Sequence, residues 1–136
     1  MEIIQLFQSR MDKCQAEQFW AMALFASMTG FIILKNKMLV KSINYSLLQW
    51  GIIITGIFSI LYIISRHFIY IHYDLLVNNI ILSDKNISGY MTNNPDSVFK
   101  ILSLSSGVLF YIVICAGMAL ASIFVTQKTG RKRKIK

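Results

Sequence analysis

The sequence predicts an all-α membrane protein: three transmembrane helices, a short amphipathic N-terminal helix before them and a basic C-terminal tail after them. Three observations predict it. Residues 19–34, 47–65 and 101–125 are apolar runs without a single charged side chain, and crossing hydrocarbon takes about 20 mostly apolar residues. Lysine and arginine crowd into 35–46 and 126–136, segments that hold no acid. Finally, 55% of the 136 residues are hydrophobic, and the three runs leave too little chain for a separate water-soluble core.

Taken in order, residues 1–18 place Ile3, Ile4, Phe7, Met11 and Cys14 at helical spacing, with Gln5, Gln8, Ser9, Asp12 and Lys13 between them. This predicts an amphipathic segment that lies on the bilayer surface or packs against another subunit. The first span, 19–34, is short and is completed by Lys35 reaching outward to the headgroups. Glu2, Asp12 and Glu17 precede it, and Lys35 follows it where a cleavage site would need small residues. It therefore reads as a retained helix rather than a cleaved signal. Residues 35–46 carry Lys35, Lys37 and Lys41 and form a basic cytoplasmic loop.

The second span, 47–65, is the most patterned. Gly51, Thr55 and Ser59 fall four apart, and the same face continues to Tyr62 and Arg66. Small residues at every fourth position let helix backbones approach closely in lipid, where no hydrophobic drive pulls helices together. The face reads either as a packing surface against the other spans or as the lining of a water-filled interface in an oligomer, with Arg66 at its mouth. Residues 66–100 begin as an aromatic-rich segment (His67, Phe68, Tyr70, His72, Tyr73) suited to the headgroup belt and end as an external loop. The third span, 101–125, and the first repeat the small-residue theme in Ala23 and Ser27, Ala26 and Gly30, Ser103 and Gly107, Gly117 and Ala121. That is more seams than one chain has helices to fill, which predicts a homo-oligomer.

Charge sets the orientation. The 66–100 segment balances Arg66, Lys85 and Lys100 against Asp74, Asp84 and Asp96, whereas 35–46 and the tail are purely basic. Positive loops stay cytoplasmic, so the chain is expected in the cell inner membrane with its N-terminus outside and its C-terminus in the cytoplasm. The net charge of +8 sits beside the spans, where it meets anionic lipid. No basic and aromatic stretch outside them suggests direct nucleic-acid binding. Lys35, Lys37, Lys41, Arg131, Lys132, Arg133 and Lys134 are the expected contacts to the lipid bilayer or to a cytoplasmic regulatory partner.

Chemistry is not expected. The two histidines, His67 and His72, and six scattered acids assemble no triad, zinc spacing or phosphate-cradling glycine loop. Cys14 and Cys115 sit in different segments and suggest neither a disulfide nor a metal centre. The sequence reading is a non-enzymatic protein with no catalytic residue, no cofactor and no metal.

Glu17, Gln18, Phe19 and Trp20 entering the first span, followed by Gly51, Ser59, Tyr62, Arg66 and Tyr70 along and beyond the second, form a pattern over the first half of the chain. The pattern resembles small membrane proteins encoded in bacterial antiphage loci, including the transmembrane effectors that accompany retron reverse transcriptases. The resemblance implies an abortive-infection effector, held inactive by a partner complex (a reverse transcriptase with its noncoding RNA in the retron case) and released to damage the inner membrane. A bacteriocin immunity protein and an accessory subunit of a membrane complex have the same composition and remain alternatives.

Overall fold

The computed structural model describes residues 2–83 and 106–134, without the side chains of Leu82, Arg133 and Lys134. They form three helices and no strand: α1 Glu2–Ser42, α2 Tyr45–Ser83 and α3 Ser106–Lys134. All three are long and apolar enough to cross a membrane. Residues 84–100 of the aromatic-rich segment and external loop expected over 66–100, and residues 101–105 of the third span, lie outside the described residues.

The helices outrun the apolar stretches that announce them. α1 has 41 residues and α2 has 39, which at 1.5 Å per residue is about 60 Å each, twice the roughly 30 Å of hydrocarbon. Over its described residues, 2–18, the amphipathic segment is therefore not a separate surface helix but the first turns of α1. It packs on its own chain, with the Phe7 and Tyr73 rings 5.6 Å apart. The aromatic segment from Arg66 to Ser83 continues α2 without a break, and the basic stretches run helical to Ser42 and Lys134. Loss of hydrophobicity marks where the surroundings change, not where a helix stops.

What does stop α1 is local. Ile43 N–H still donates to the Leu39 carbonyl at 2.8 Å, and Asn44 then turns the chain. Its side-chain oxygen accepts the Ser46 N–H at 3.2 Å, and its carbonyl accepts the Leu48 N–H at 3.1 Å. Asn44 is thus the N-cap of α2, and α1 and α2 make an antiparallel hairpin through a two-residue turn. α3 returns parallel to α1.

The bundle closes on a seven-residue period. Gln18, Phe25 and Ile32 are buried on α1, Val108, Cys115 and Ser122 on α3, and Gly56 and Ile63 on α2. A repeat of seven keeps one face turned inward as helices wrap left-handed around each other. Phe25, Ile63, Val108 and Cys115 form the centre, flanked by Met22, Met28, Ile60, Tyr111 and Ala119. Gly56 brings α2 against both neighbours: a Cβ there would stand 3.1 Å from Phe25 Cζ and 3.9 Å from Ala119 Cβ. The outer surface is apolar, with Leu24, Leu34, Phe58, Leu120 and Phe124 all exposed. A contiguous coat of large apolar side chains belongs against lipid.

Candidate functional site

The second-span face is turned outward. Gly51, Thr55 and Tyr62 are exposed, and Ser59 and Arg66 are half-buried. Within one chain α2 is buried through Ile52, Gly56, Ile63 and His67, so Gly51 and Thr55 do not pack on the first or third span, while Ser59 and Tyr62 border α1 across a groove and Arg66 pairs with it. The rule of four small residues was satisfied at Gly51, yet the contact follows the rule of seven at Gly56. The other seams behave alike: a Cβ built on Gly30, Gly51, Gly107 or Gly117 would meet nothing within 4 Å. Ser103 lies outside the described residues. Along the outward face a groove of about 760 Å³ separates α1 from α2, with Leu24, Phe25 and Met28 on one wall and Thr55, Ser59 and Tyr62 on the other. Thr55 Oγ1 bonds the Gly51 carbonyl at 2.6 Å, so its methyl group rather than a free hydroxyl is presented.

At the groove's end, Arg66 Nε meets Glu17 Oε2 at 2.9 Å, and the guanidinium carbon lies 5.0 Å from the Tyr62 ring centroid. This pair fastens the hairpin just beyond the apolar runs. From sequence, Arg66 was placed at the mouth of this face and Glu17 at the entry to the first span, without the two being paired. The pairing was traceable, because folding the chain back at Asn44 brings Glu17 and Arg66 within about a turn of each other.

Gln18 and His67 directly follow those two residues and are buried at the same level, each with its Nε2 unpartnered. His67 stacks on Tyr70 at 6.3 Å with the rings almost parallel. Cys14 is buried nearby. Burial pushes its thiol above the ordinary cysteine range, and the Glu17 carboxylate adds to the shift while Arg66 opposes it. Among the described residues no three of His, Cys, Asp and Glu gather as metal ligands would.

The opposite end is polar and basic. Ser122 Oγ donates to its own Met118 carbonyl at 2.8 Å and lies 3.4 Å from the Thr29 carbonyl, Thr129 Oγ1 donates to Asn36 Oδ1 at 2.8 Å, and Gln49 Nε2 to the Ile123 carbonyl at 3.4 Å. Gly130 lets α3 approach the Tyr45 ring, 3.2 Å from where a Cβ would be. Lys37 and Lys41 face Lys128 and Lys132 across a cleft of about 610 Å³ between α1 and α3. Lys35 and Arg131 are exposed beside it, and the side chains of Arg133 and Lys134 lie outside the description. Lys128 was not among the contacts expected from sequence. Its spacing of four from Lys132 was the available signal.

No protein-family model, curated protein or solved structure matches the chain.

Proposed function

We propose that this protein acts by changing how its helices pack in the bilayer, as a non-enzymatic, membrane-perturbing effector that assembles from several copies. One observation carries the reading: the chain has two sets of packing surfaces and uses only one internally. The seven-residue seam holds the monomer, while the four-residue seams at Gly30, Gly51, Gly107 and Gly117 stand in open space. In lipid, small-residue seams are what helices use to associate. A chain with a spare set can trade contacts within itself for contacts with copies of itself. Opening a membrane in that way needs no catalytic group, only two packings that lie within a few kcal/mol of each other.

The resemblance to antiphage membrane effectors supplies the purpose. A cytoplasmic partner complex, in the retron case a reverse transcriptase with its noncoding RNA, would hold the basic end and favour the closed monomer. Release would permit assembly in the inner membrane, with the N-terminus outside and the C-terminus in the cytoplasm. The immunity-protein and accessory-subunit readings rest on the same architecture and differ in what expression does to a cell.

The test is production of the chain alone in bacteria carrying a potential-sensitive dye. An effector depolarises them, and the variant with Gly51→Leu, Thr55→Leu and Ser59→Leu inserts normally but does not. An immunity protein is silent alone and protects against one toxin, and an accessory subunit is silent in both assays. Unchanged depolarisation by the triple variant would remove the outward α2 face from the mechanism.

A further inference from the structure

The basic end has a feature that orientation in the membrane does not require. α1 and α3 are parallel there: Thr129 bonds Asn36, and Ser122 Oγ, which donates to its own Met118 carbonyl at 2.8 Å, comes within 3.4 Å of the Thr29 carbonyl, both pairs being 93 residues apart. That common offset sets the register. It puts Lys128 level with Lys35, and Lys132 level with Leu39. Lys37 and Lys41 on α1 therefore alternate in height with Lys128 and Lys132 on α3, in steps of about 3 Å. Four lysines, rooted at successive heights, line one cleft. The floor is already satisfied: Asn36 Nδ2 donates to the Ile33 carbonyl, Asn36 Oδ1 accepts from Thr129, and Val40 closes one wall. What remains unmatched in the cleft is positive charge.

No counter-ion comes from the chain's own described residues. The described acids, Glu2, Asp12, Glu17 and Asp74, all belong to the other end of the bundle. Lysines near a helix C-terminus are favoured by its dipole, but like charges four apart on a helix repel, and here two such pairs face each other. Topology asks only that the charges lie on one side of the membrane, not that they converge.

A second groove, of about 360 Å³, shares Lys128 and Lys132 with the cleft and runs on to Phe124. Phe124 and Leu120 are exposed on the apolar outer surface. The combined shape is charged at one end and apolar at the other, at the level where the apolar runs give way to polar chain. We infer that this cleft binds the headgroup of an anionic phospholipid bearing two phosphates, whose acyl chains lie along the Phe124 side of α3. Basic pockets between helices at the headgroup level recognise such lipids, and a free phosphate would have no use for the apolar extension. A bound lipid of this kind bridges α1 and α3 and strengthens the closed bundle, whether or not the chain acts as an effector.

The experiment uses the full chain in neutral detergent micelles. Native mass spectrometry follows titrations with diphosphatidylglycerol, phosphatidylglycerol, phosphatidylcholine and soluble pyrophosphate. Diphosphatidylglycerol is expected to bind one per chain, ahead of phosphatidylglycerol, with phosphatidylcholine and pyrophosphate not retained. Removing two lysines by K128Q with K132Q should weaken it about 30-fold, at roughly tenfold per 1.4 kcal/mol. The charge-matched control R10Q with K13Q, at the other end, should stay within about twofold. Helical circular dichroism confirms that both variants fold. Equal losses in the two variants would mean diffuse charge attraction and overturn the site. So would the absence of any preference for the two-phosphate lipid. Pyrophosphate binding as tightly as the lipid would overturn the lipid assignment in favour of a soluble phosphate ligand.

Discussion

Replacing Gly56 with leucine should open the bundle, whereas the same change at Gly51 should not. At Gly56 even a Cβ would sit 3.1 Å from Phe25 Cζ and 3.6 Å from Phe25 Cε2, with Ala119 Cβ at 3.9 Å on the third helix. Three further carbons have no room unless α2 withdraws from α1 or Phe25 leaves the core it shares with Ile63, Val108 and Cys115. Overpacking of a well-filled core costs about 1–3 kcal/mol, and displacing Phe25 forfeits contacts of similar worth, so a loss of about 3 kcal/mol is expected. Leucine's higher helix propensity returns less than about 1 kcal/mol. At Gly51 the added side chain meets nothing within 4 Å, and only the propensity gain remains. Unfolding of the monomer in mixed micelles, by titrating sodium dodecyl sulfate and following tryptophan fluorescence, measures both. Equal stability of the two variants, or a larger loss at Gly51, would refute the assignment of the inward face.

Three other outcomes follow from the site geometry. Gln18→Leu should stabilise the fold by about 1 kcal/mol in the same unfolding assay, because it removes a buried polar group whose Nε2 has no partner. Destabilisation would mean that the group is bonded in solution. Cys14 should react with a soluble maleimide far more slowly than free cysteine at neutral pH, since it is buried and its thiol is held protonated. Its labelling should rise only on the alkaline side of the normal thiol range, and Glu17→Gln should move that rise toward lower pH by removing the carboxylate that opposes ionisation. The Glu17–Arg66 pair, with its side chains about a quarter and a third exposed, should show a coupling of at most about 1 kcal/mol in a double-mutant cycle, and less in high salt.

The sequence carried the medium and the number of helices plainly, because uncharged runs such as 101–125 have no other stable setting. The charge partition was equally legible: Lys35, Lys37 and Lys41 do share an end of the bundle with Lys128, Arg131 and Lys132. Helix ends were not legible from hydropathy. The segments over 1–18 and 66–83 are polar enough to suggest surface pieces, yet each supplies one side of a continuing hairpin, as Phe7 and Tyr73 show. The turn was missed as well: 35–46 was read as a loop, although Asn44 is of a residue type that favours an N-cap. The inward face was the hardest part, because Gly51, Thr55 and Ser59 obey one packing rule while Gly56 and Ile63 obey another. Only the placement of Phe25 and Ala119 against Gly56 decides between them. The lysine cleft was invisible for a related reason: its register depends on a side-chain bond between residues 93 apart.

Oxidative cross-linking in native membranes tests the two-surface claim most directly. Single cysteines are placed at Thr55, which is exposed, and at Ile63, which is fully buried, with the unmodified chain as control because Cys14 and Cys115 are both buried. The account predicts disulfide-linked dimers from Thr55→Cys and none from Ile63→Cys or the control. Dimers from Ile63→Cys with none from Thr55→Cys would contradict it.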